Sequence, residues 1–171
     1  MCACRMISDH GEDNIEHRQT GKNNMYDSAS RVAMILSGPG ITPGQTINTL
    51  TSLNDVFPTV LNMAGLSLPP NLAGRSLIPL VNGVGDPARK DFITAQYHSV
   101  DSVTGFFMIR QTNLKLITFG ANRFESDFPP QLFDLEKDPW ELHDIAASQP
   151  AEVRVYLFVL DTAGSRSGPN S

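Results

Sequence analysis

This chain has very little cysteine, no long apolar run and no excess of basic residues. Its only cysteines are Cys2 and Cys4, too few for a disulfide framework and, as an isolated Cys-x-Cys, a weak zinc pattern. No stretch reaches the roughly 18 consecutive apolar residues that a membrane-spanning helix needs. The 13 Lys and Arg against 18 Asp and Glu give a net charge of −5, which argues against a non-specific nucleic-acid binder. The first six residues lack an apolar core, so we expect no signal peptide there.

What is present is a globular composition with short, well-marked elements. The 171 residues are 40% hydrophobic, enough to fill the core of one ordinary domain or two small ones. Arg31–Ser37 is an aliphatic run that predicts a buried strand, ending at the turn-forming Gly38-Pro39-Gly40. Ser52–Gly65 has apolar residues at helical spacing between a capping serine and a stopping glycine, which predicts an amphipathic helix. A strand followed by such a helix indicates an α/β layer.

The second half of the chain has a different pattern. Thr104–Arg110 and Leu114–Phe119 are apolar-rich segments joined by three polar residues, which predicts an antiparallel hairpin. Gln131–Leu135 is predicted as a third strand. Pro150–Ala163 is predicted as a helix, because its apolar residues recur at i, i+3, i+4 and i+7.

The change of pattern divides the chain into two predicted parts. Polar residues and a proline interrupt the sequence at Asp86–Lys90, where we place a boundary. Residues 1–88 are predicted to belong to an α/β domain. Residues 89–171 are predicted to form a smaller α+β subdomain of antiparallel strands and one helix, with a frayed tail from about residue 165.

The residues with the most chemistry lie in one polar stretch, Ser8–Tyr26. Asp9 and His10 are candidate metal ligands, His17 is a second imidazole, and Lys22 is a cation that could bind an anion. Each has an ordinary alternative. Asp-His-Gly is common turn chemistry, with the aspartate bonding the backbone and the glycine at positive φ, and the others suit an exposed polar loop. One carboxylate and one imidazole cannot complete the shell of a hard divalent cation, so the residues alone make half a site.

Six motifs stand in a recognisable order between Ser8 and Ala146. They are the Asp-His-Gly segment Ser8–Glu12, the Gly-Lys-x-x-x-Tyr-acid segment Gly21–Asp27, the strand and turn Arg31–Ile41, the helix Ser52–Gly65, the Gly-x-Ser-Leu segment Gly74–Leu77 and the Leu-Phe-Asp-Leu-x-x-Asp-Pro-x-Glu segment Leu132–Glu141. In this order they resemble the sulfatase family, within the alkaline-phosphatase-like superfamily. The resemblance implies the C-terminal part of an alkaline-phosphatase-like α/β fold and hydrolysis of a sulfate ester.

The resemblance also implies a role for each candidate residue. Asp9 and His10 would be two protein ligands of a Ca²⁺ ion that polarises the sulfate oxygens, with the imidazole the weaker ligand of a hard cation. Lys22 would be catalytic and would place its ammonium against the sulfate. His17 would be a second catalytic residue, one that touches the substrate or supports the residues that do. His98, in Gln-Tyr-His-Ser, would line the sugar pocket.

Two runs, Glu16–Gln19 and Pro130–Leu135, look most like a lysosomal member of the family that removes the 2-sulfate of uronic acids. They imply a sulfated sugar or aryl sulfate as substrate, glycosaminoglycan degradation, and a lysosomal or secretory location. The family's formylglycine motif, Cys-x-Pro-x-Arg, and its first metal motif are absent from the chain. We therefore expect a fragment that is inactive by itself.

Three alternatives stay open. The chain could belong to another hydrolase of the same superfamily, a phosphodiesterase or a phosphonate hydrolase, since these share the metal-and-anion architecture. It could be a non-catalytic truncated product that binds sulfated sugars. It could also be a partial product with no function of its own.

Overall fold

A computed structural model describes the chain at residues 4–98, 104–120 and 128–162. Within these ranges it has the following strands and α-helices: β1 (Cys4–Ile7), β2 (Asp13–Asn14), β3 (Thr20–Gly21), α1 (Asp27–Ser30), β4 (Met34–Ser37), α2 (Val56–Met63), α3 (Ile78–Val81), β5 (Phe92–Tyr97), β6 (Phe106–Gln111), β7 (Leu114–Phe119), β8 (Gln131–Asp134) and α4 (Pro150–Thr162). The fold is α/β, as predicted. None of the helices in the described part has the length and apolar character needed to cross a bilayer.

These elements divide into two compact units. The first unit holds residues 4–9 and 33–91, and the second holds residues 10–32 together with the described residues from 92 onward. The second unit thus includes the stretch with most of the candidate residues as well as the C-terminal strands. The division into 1–88 and 89–171 stays a prediction, and its proposed tail lies outside the described residues.

The first unit contains the predicted strand and the predicted amphipathic helix. The predicted strand is confirmed as β4, which pairs antiparallel with the unpredicted β1, from Cys4 opposite Ser37 to Ile7 opposite Met34. Its predicted burial is wrong, because half-buried and exposed residues alternate along β4 and Ile35 is 53% exposed. The helix is confirmed as α2, preceded by a 3-10 turn that begins after Ser52. The Ser52 backbone donates to Asp55 Oδ2 at 3.0 Å, and its hydroxyl accepts from the backbone of Asn54 at 3.3 Å, a capping box.

Two of the six motif segments meet in this unit at Asp55. Its Oδ1 accepts from the Arg75 backbone at 2.7 Å, and its Oδ2 accepts from the Arg89 guanidinium at 2.7 Å. Gly74 passes so close to the Asn54 carbonyl that a Cβ at position 74 would overlap it. The Gly-x-Ser-Leu segment is therefore held against the start of α2 by backbone proximity and a buried carboxylate.

The second unit is built on one antiparallel sheet of order β5-β6-β7-β8. The predicted hairpin is confirmed as β6 and β7, which pair from Phe106 opposite Phe119 to Gln111 opposite Leu114. The predicted third strand is β8 and the predicted helix is α4, described to Thr162. Strand β5 was not predicted.

Both faces of this sheet are covered. On one face, a cluster joins strand residues to α4: Ile109, Leu116, Leu132, Val153, Tyr156 and Leu160. On the other face, a cluster joins strand residues to the chain before α1: Met108, Ile117, Phe133 and Met25. The two sets alternate along each strand because successive side chains point to opposite faces. The polar stretch with the candidate residues is therefore anchored through Met25 on the face opposite α4.

Candidate functional site

A small two-stranded ribbon lies among the candidate residues of the second unit, with His17 in its turn and Lys22 directly after its second strand. Strands β2 and β3 pair antiparallel, with Asp13 opposite Gly21. The turn between them has left-handed backbone at Ile15 (φ 74°), His17 (φ 52°) and Arg18 (φ 58°). Such conformations are costly for residues with a Cβ, above all for a β-branched one, by about 1–3 kcal/mol each, and they persist only where surrounding contacts hold them.

Asp13 supplies one such set of contacts, because its carboxylate is buried at 2% exposure. It accepts hydrogen bonds from the Asn24 side-chain amide and from the Ser28 hydroxyl. Asn24 also donates to Gln19 Oε1 at 2.9 Å and accepts from the Tyr26 backbone at 2.9 Å. One buried carboxylate thus ties both ends of the ribbon to the start of α1.

Gly11, which comes just before the ribbon, is held against α1, since its backbone N–H donates to the Ala29 carbonyl at 2.8 Å. A Cβ at this position would overlap the carbonyl oxygen of Ser28. Gly11 does not have positive φ, so the alternative in which this glycine forms a turn at positive φ does not apply. A glycine is required here because the backbones approach closely.

His10 and Lys22 are in direct contact. The His10 ring places Nδ1 2.7 Å from the Gly11 carbonyl oxygen and Nε2 against the Lys22 ammonium. A carbonyl only accepts, so this geometry puts the ring proton on Nδ1 and leaves the Nε2 lone pair to accept from the lysine. Lys22 is exposed, and its ammonium has further N–H donors for an incoming oxyanion. Two of the predicted residues are therefore brought together.

His17 stacks on Tyr26, with ring centroids 3.7 Å apart and an angle of 7° between the planes. The Tyr26 hydroxyl donates to Gln131 Oε1 at 3.0 Å. Burial raises the pKa of the Tyr26 phenol above its usual 10.0, and the hydrogen bond to Gln131 opposes that shift. The stacking contact thus holds the His17 ring in a fixed position against Tyr26. Its catalytic role stays a prediction.

Asp9 and His98 are placed differently. Asp9 is an exposed residue at the end of the first segment of the first unit. His98 is exposed in the second unit, with its ring edge-on to Phe107 at a centroid distance of 5.2 Å. The neighbouring Tyr97, not His98, reaches the lysine segment, because its hydroxyl donates to Asn23 Oδ1 at 2.6 Å. Metal binding by Asp9 and sugar binding by His98 stay predictions.

A buried charge cluster, missed from the sequence, joins two of the family-like motifs. Lys115 is fully buried, and its Nζ lies 2.8 Å from Asp27 Oδ1 and 2.8 Å from Glu141 Oε1. Glu141 Oε2 also accepts from the Asp27 backbone at 2.6 Å, at the start of α1. The available signal was a lone lysine inside the apolar run of β7, because a buried ammonium requires a counter-charge.

Calcium, the cofactor implied by the resemblance, finds only part of its shell in these residues. Ca²⁺ takes about 6–8 oxygen ligands. Over residues 4–98, 104–120 and 128–162, no group of three or more His, Cys, Asp or Glu side chains could hold a metal ion. Asp9 offers a carboxylate, and His10 offers a lone pair on Nε2, where the Lys22 ammonium now sits. Calcium binding by Asp9 and His10 therefore stays a prediction.

Two cavities lie apart from the candidate residues. One in the first unit, of about 730 Å³, is lined by residues 34–38, residues 41–47 and parts of α3. One in the second unit, of about 580 Å³, lies near Asp134, Asp138 and His143. None of the five predicted site residues lines either cavity.

Comparison with known families and proteins decides what kind of chain this is. A family model described as "N-sulphoglucosamine sulphohydrolase, C-terminal" matches residues 15–157. The chain belongs to the sulfatase family. The matched range takes in β3, the Lys115 cluster and most of α4, and it includes residues of both units. The family resemblance of the six motifs is thereby confirmed.

Individual relatives agree with this assignment. Arylsulfatase K of Homo sapiens is 36% identical over 149 residues, which are 84% of this chain and 27% of the relative. The sulfatase segment therefore spans about a quarter of the length of that relative. The expected resemblance of the chain to this member of the family, arylsulfatase K, is confirmed by the overall match.

Solved structures show the same fold. A 2-O GAG sulfatase matches with a TM-score of 0.84 and 25% identity, over 96% of this chain and 36% of the other. The phosphonate monoester hydrolase of Agrobacterium radiobacter matches with a TM-score of 0.75 and 26% identity, over 94% of this chain and 34% of the other. The first alternative, a related hydrolase, therefore has a structural counterpart.

Proposed function

We propose that this segment supplies the sulfate-binding side of an arylsulfatase K-like sulfatase that hydrolyses sulfate esters of glycosaminoglycan uronic acids. The contact between His10 Nε2 and the Lys22 ammonium carries the proposal. It holds a cation at an exposed position, within motifs of a sulfatase. The likeness to a 2-O GAG sulfatase supports the substrate class. A lysosomal or secretory location goes with this proposal.

Each residue has a physical task in it. The Lys22 ammonium binds a sulfate oxygen as a compact point charge, and it offsets negative charge that develops on the sulfate in the transition state. The neutral His10 ring orients that ammonium by accepting one of its protons. His17, whose ring stacks on Tyr26, and His98, whose ring lies edge-on to Phe107, are proposed to contact the sugar.

The proposal includes a calcium ion, with Asp9 and His10 as two of its ligands. When bound, the ion would supply positive charge that polarises the sulfate oxygens. The sequence holds no Cys-x-Pro-x-Arg motif, and the chain by itself is proposed to bind without turnover.

Binding tests this function directly. Immobilised dermatan sulfate fragments should retain the purified chain, and Lys22→Ala should weaken retention strongly because the anion loses a cation. Lys137→Ala is the matched control, since it also removes an exposed lysine, one paired with Asp134 at 2.6 Å. Equal retention of wild type and Lys22→Ala, or equal loss in both variants, would contradict the proposal.

One observation favours the related-hydrolase alternative, namely the likeness of the chain to the phosphonate monoester hydrolase. It is tested by competition on the same column. A phenyl phosphonate that elutes the chain at lower concentration than phenyl sulfate would favour that function, and the reverse order would favour the sulfatase.

A further inference from the structure

Lys22 is followed by two asparagines whose side chains are held by different parts of the second unit. Asn24 is buried and bonded locally, to Asp13, Gln19 and the Tyr26 backbone. Asn23 is exposed, and its Oδ1 accepts from the hydroxyl of Tyr97, 74 residues away in sequence. The segment of Lys22 is therefore attached twice, once to its own ribbon and once to the sheet.

Tyr97 is well placed to act as the fixed end of the second attachment. It is the last residue of β5 and pairs with Phe106 in the sheet register. Its ring packs near Phe106, at a centroid distance of 6.3 Å, and lies with the cluster that includes Met25. A donor carried by a paired strand has little freedom, whereas an exposed lysine on a loop loses much side-chain entropy on binding.

We propose that Tyr97 is a positioning residue for Lys22, and that its hydroxyl holds the lysine segment in the geometry that binds a sulfate oxyanion. The inference rests on the proposed function and deepens it. His10 orients the ammonium from one side, and the Tyr97–Asn23 hydrogen bond fixes the backbone that carries it. Pre-placing the cation reduces the entropy lost when the anion binds.

Tyr97→Phe removes the hydroxyl and keeps the ring, and Asn23→Ala removes the acceptor. Hydrogen–deuterium exchange at the amides of residues 21–24 should become about three- to tenfold faster in either variant, the range expected for one lost hydrogen bond. The double variant should match the single ones, because both delete the same bond. Asn113→Ala, which removes an exposed side-chain bond to Glu136 at 2.7 Å, is the control and should leave this exchange unchanged.

Affinity for a heparin tetrasaccharide provides the readout that a purely structural role would not move. Tyr97→Phe should raise the Kd about three- to tenfold in the wild-type background and leave it unchanged in the Lys22→Ala background. Unchanged exchange in Tyr97→Phe overturns the inference, as does faster exchange with an unchanged Kd. A wild-type chain that does not bind the sugar defeats the proposed function, and the exchange measurement still decides whether Tyr97 anchors the lysine segment.

Discussion

Replacing Lys115 by methionine is the sharpest test of what holds the second unit together. The ammonium is fully buried, 2.8 Å from a carboxylate oxygen of Asp27 and 2.8 Å from one of Glu141. At an effective dielectric constant of about 20, opposite charges 4 Å apart attract by about 4 kcal/mol, and the cost of burying the three groups consumes much of that gain. Removing the lysine alone abolishes the attraction and leaves the carboxylates buried.

The expected loss follows from what compensates each carboxylate in the variant. Asp27 keeps the Arg110 guanidinium at 3.3 Å. Glu141, whose side chain is 2% exposed, keeps the Asp27 backbone N–H at 2.6 Å. We therefore expect Lys115→Met to lower the free energy of unfolding by about 3–5 kcal/mol, the usual cost of breaking a buried ion pair.

Urea unfolding followed by far-ultraviolet circular dichroism measures this loss. Lys137→Met is the matched control, because Lys137 is 82% exposed and exposed pairs contribute about 0–1 kcal/mol. Adding Glu141→Gln to Lys115→Met should recover part of the loss, since the amide oxygen still accepts from Asp27 and no unpaired charge remains. A loss below about 1 kcal/mol for Lys115→Met, or simple additivity in the double variant, would refute the reasoning.

Two further predictions concern backbone approach and pH. Gly74→Ala should destabilise the first unit by about 1–3 kcal/mol or more in the same urea assay, because the new Cβ would overlap the Asn54 carbonyl. The control is Gly120→Ala, whose Cβ would meet Phe107 at an ordinary 3.4 Å, and this variant should lose much less stability. Equal losses in the two variants would contradict the prediction. Burial raises the folded-state pKa of Tyr26 above 10.0, so the neutral phenol is favoured in the fold. The resulting stability is complete below about pH 10 and is lost as pH rises through the raised pKa. Tyr26→Phe should abolish this alkaline loss in a melting-temperature series, and parallel curves for wild type and variant would show that it does not arise from Tyr26.

Local patterns were sufficient for elements that carry their own signals. The Gly- and Ser-bounded α2 and the hairpin of β6 and β7 were predicted because capping, helical spacing and a polar turn are all encoded within a few residues. Strands β1 and β5 were missed, since each is short and is recognisable only through its partner. The four-residue helix α1 is too short to show a period.

The residues of the candidate site likewise divide into those that local sequence could indicate and those that it could not. Lys22 and His10 could be proposed from family-like motifs, and the structure brings them into contact. Asp13, Asn24 and Tyr97 could not, because their importance comes from partners that the fold brings near. The Tyr97–Asn23 bond spans 74 residues, and a carboxylate such as Asp13 is indistinguishable in sequence from a solvated one until its burial is known.

The Lys115 cluster changes how this family's signature should be interpreted. Asp27 and Glu141 belong to motif segments that resemble those of sulfatases, yet here they neutralise an ammonium inside the protein. A related chain that had lost all chemistry would still need these charges to remain folded. Such a pseudoenzyme would keep much of the diagnostic pattern, and the pair at positions 10 and 22, proposed here to bind sulfate, would be the better guide to whether catalysis has been abandoned.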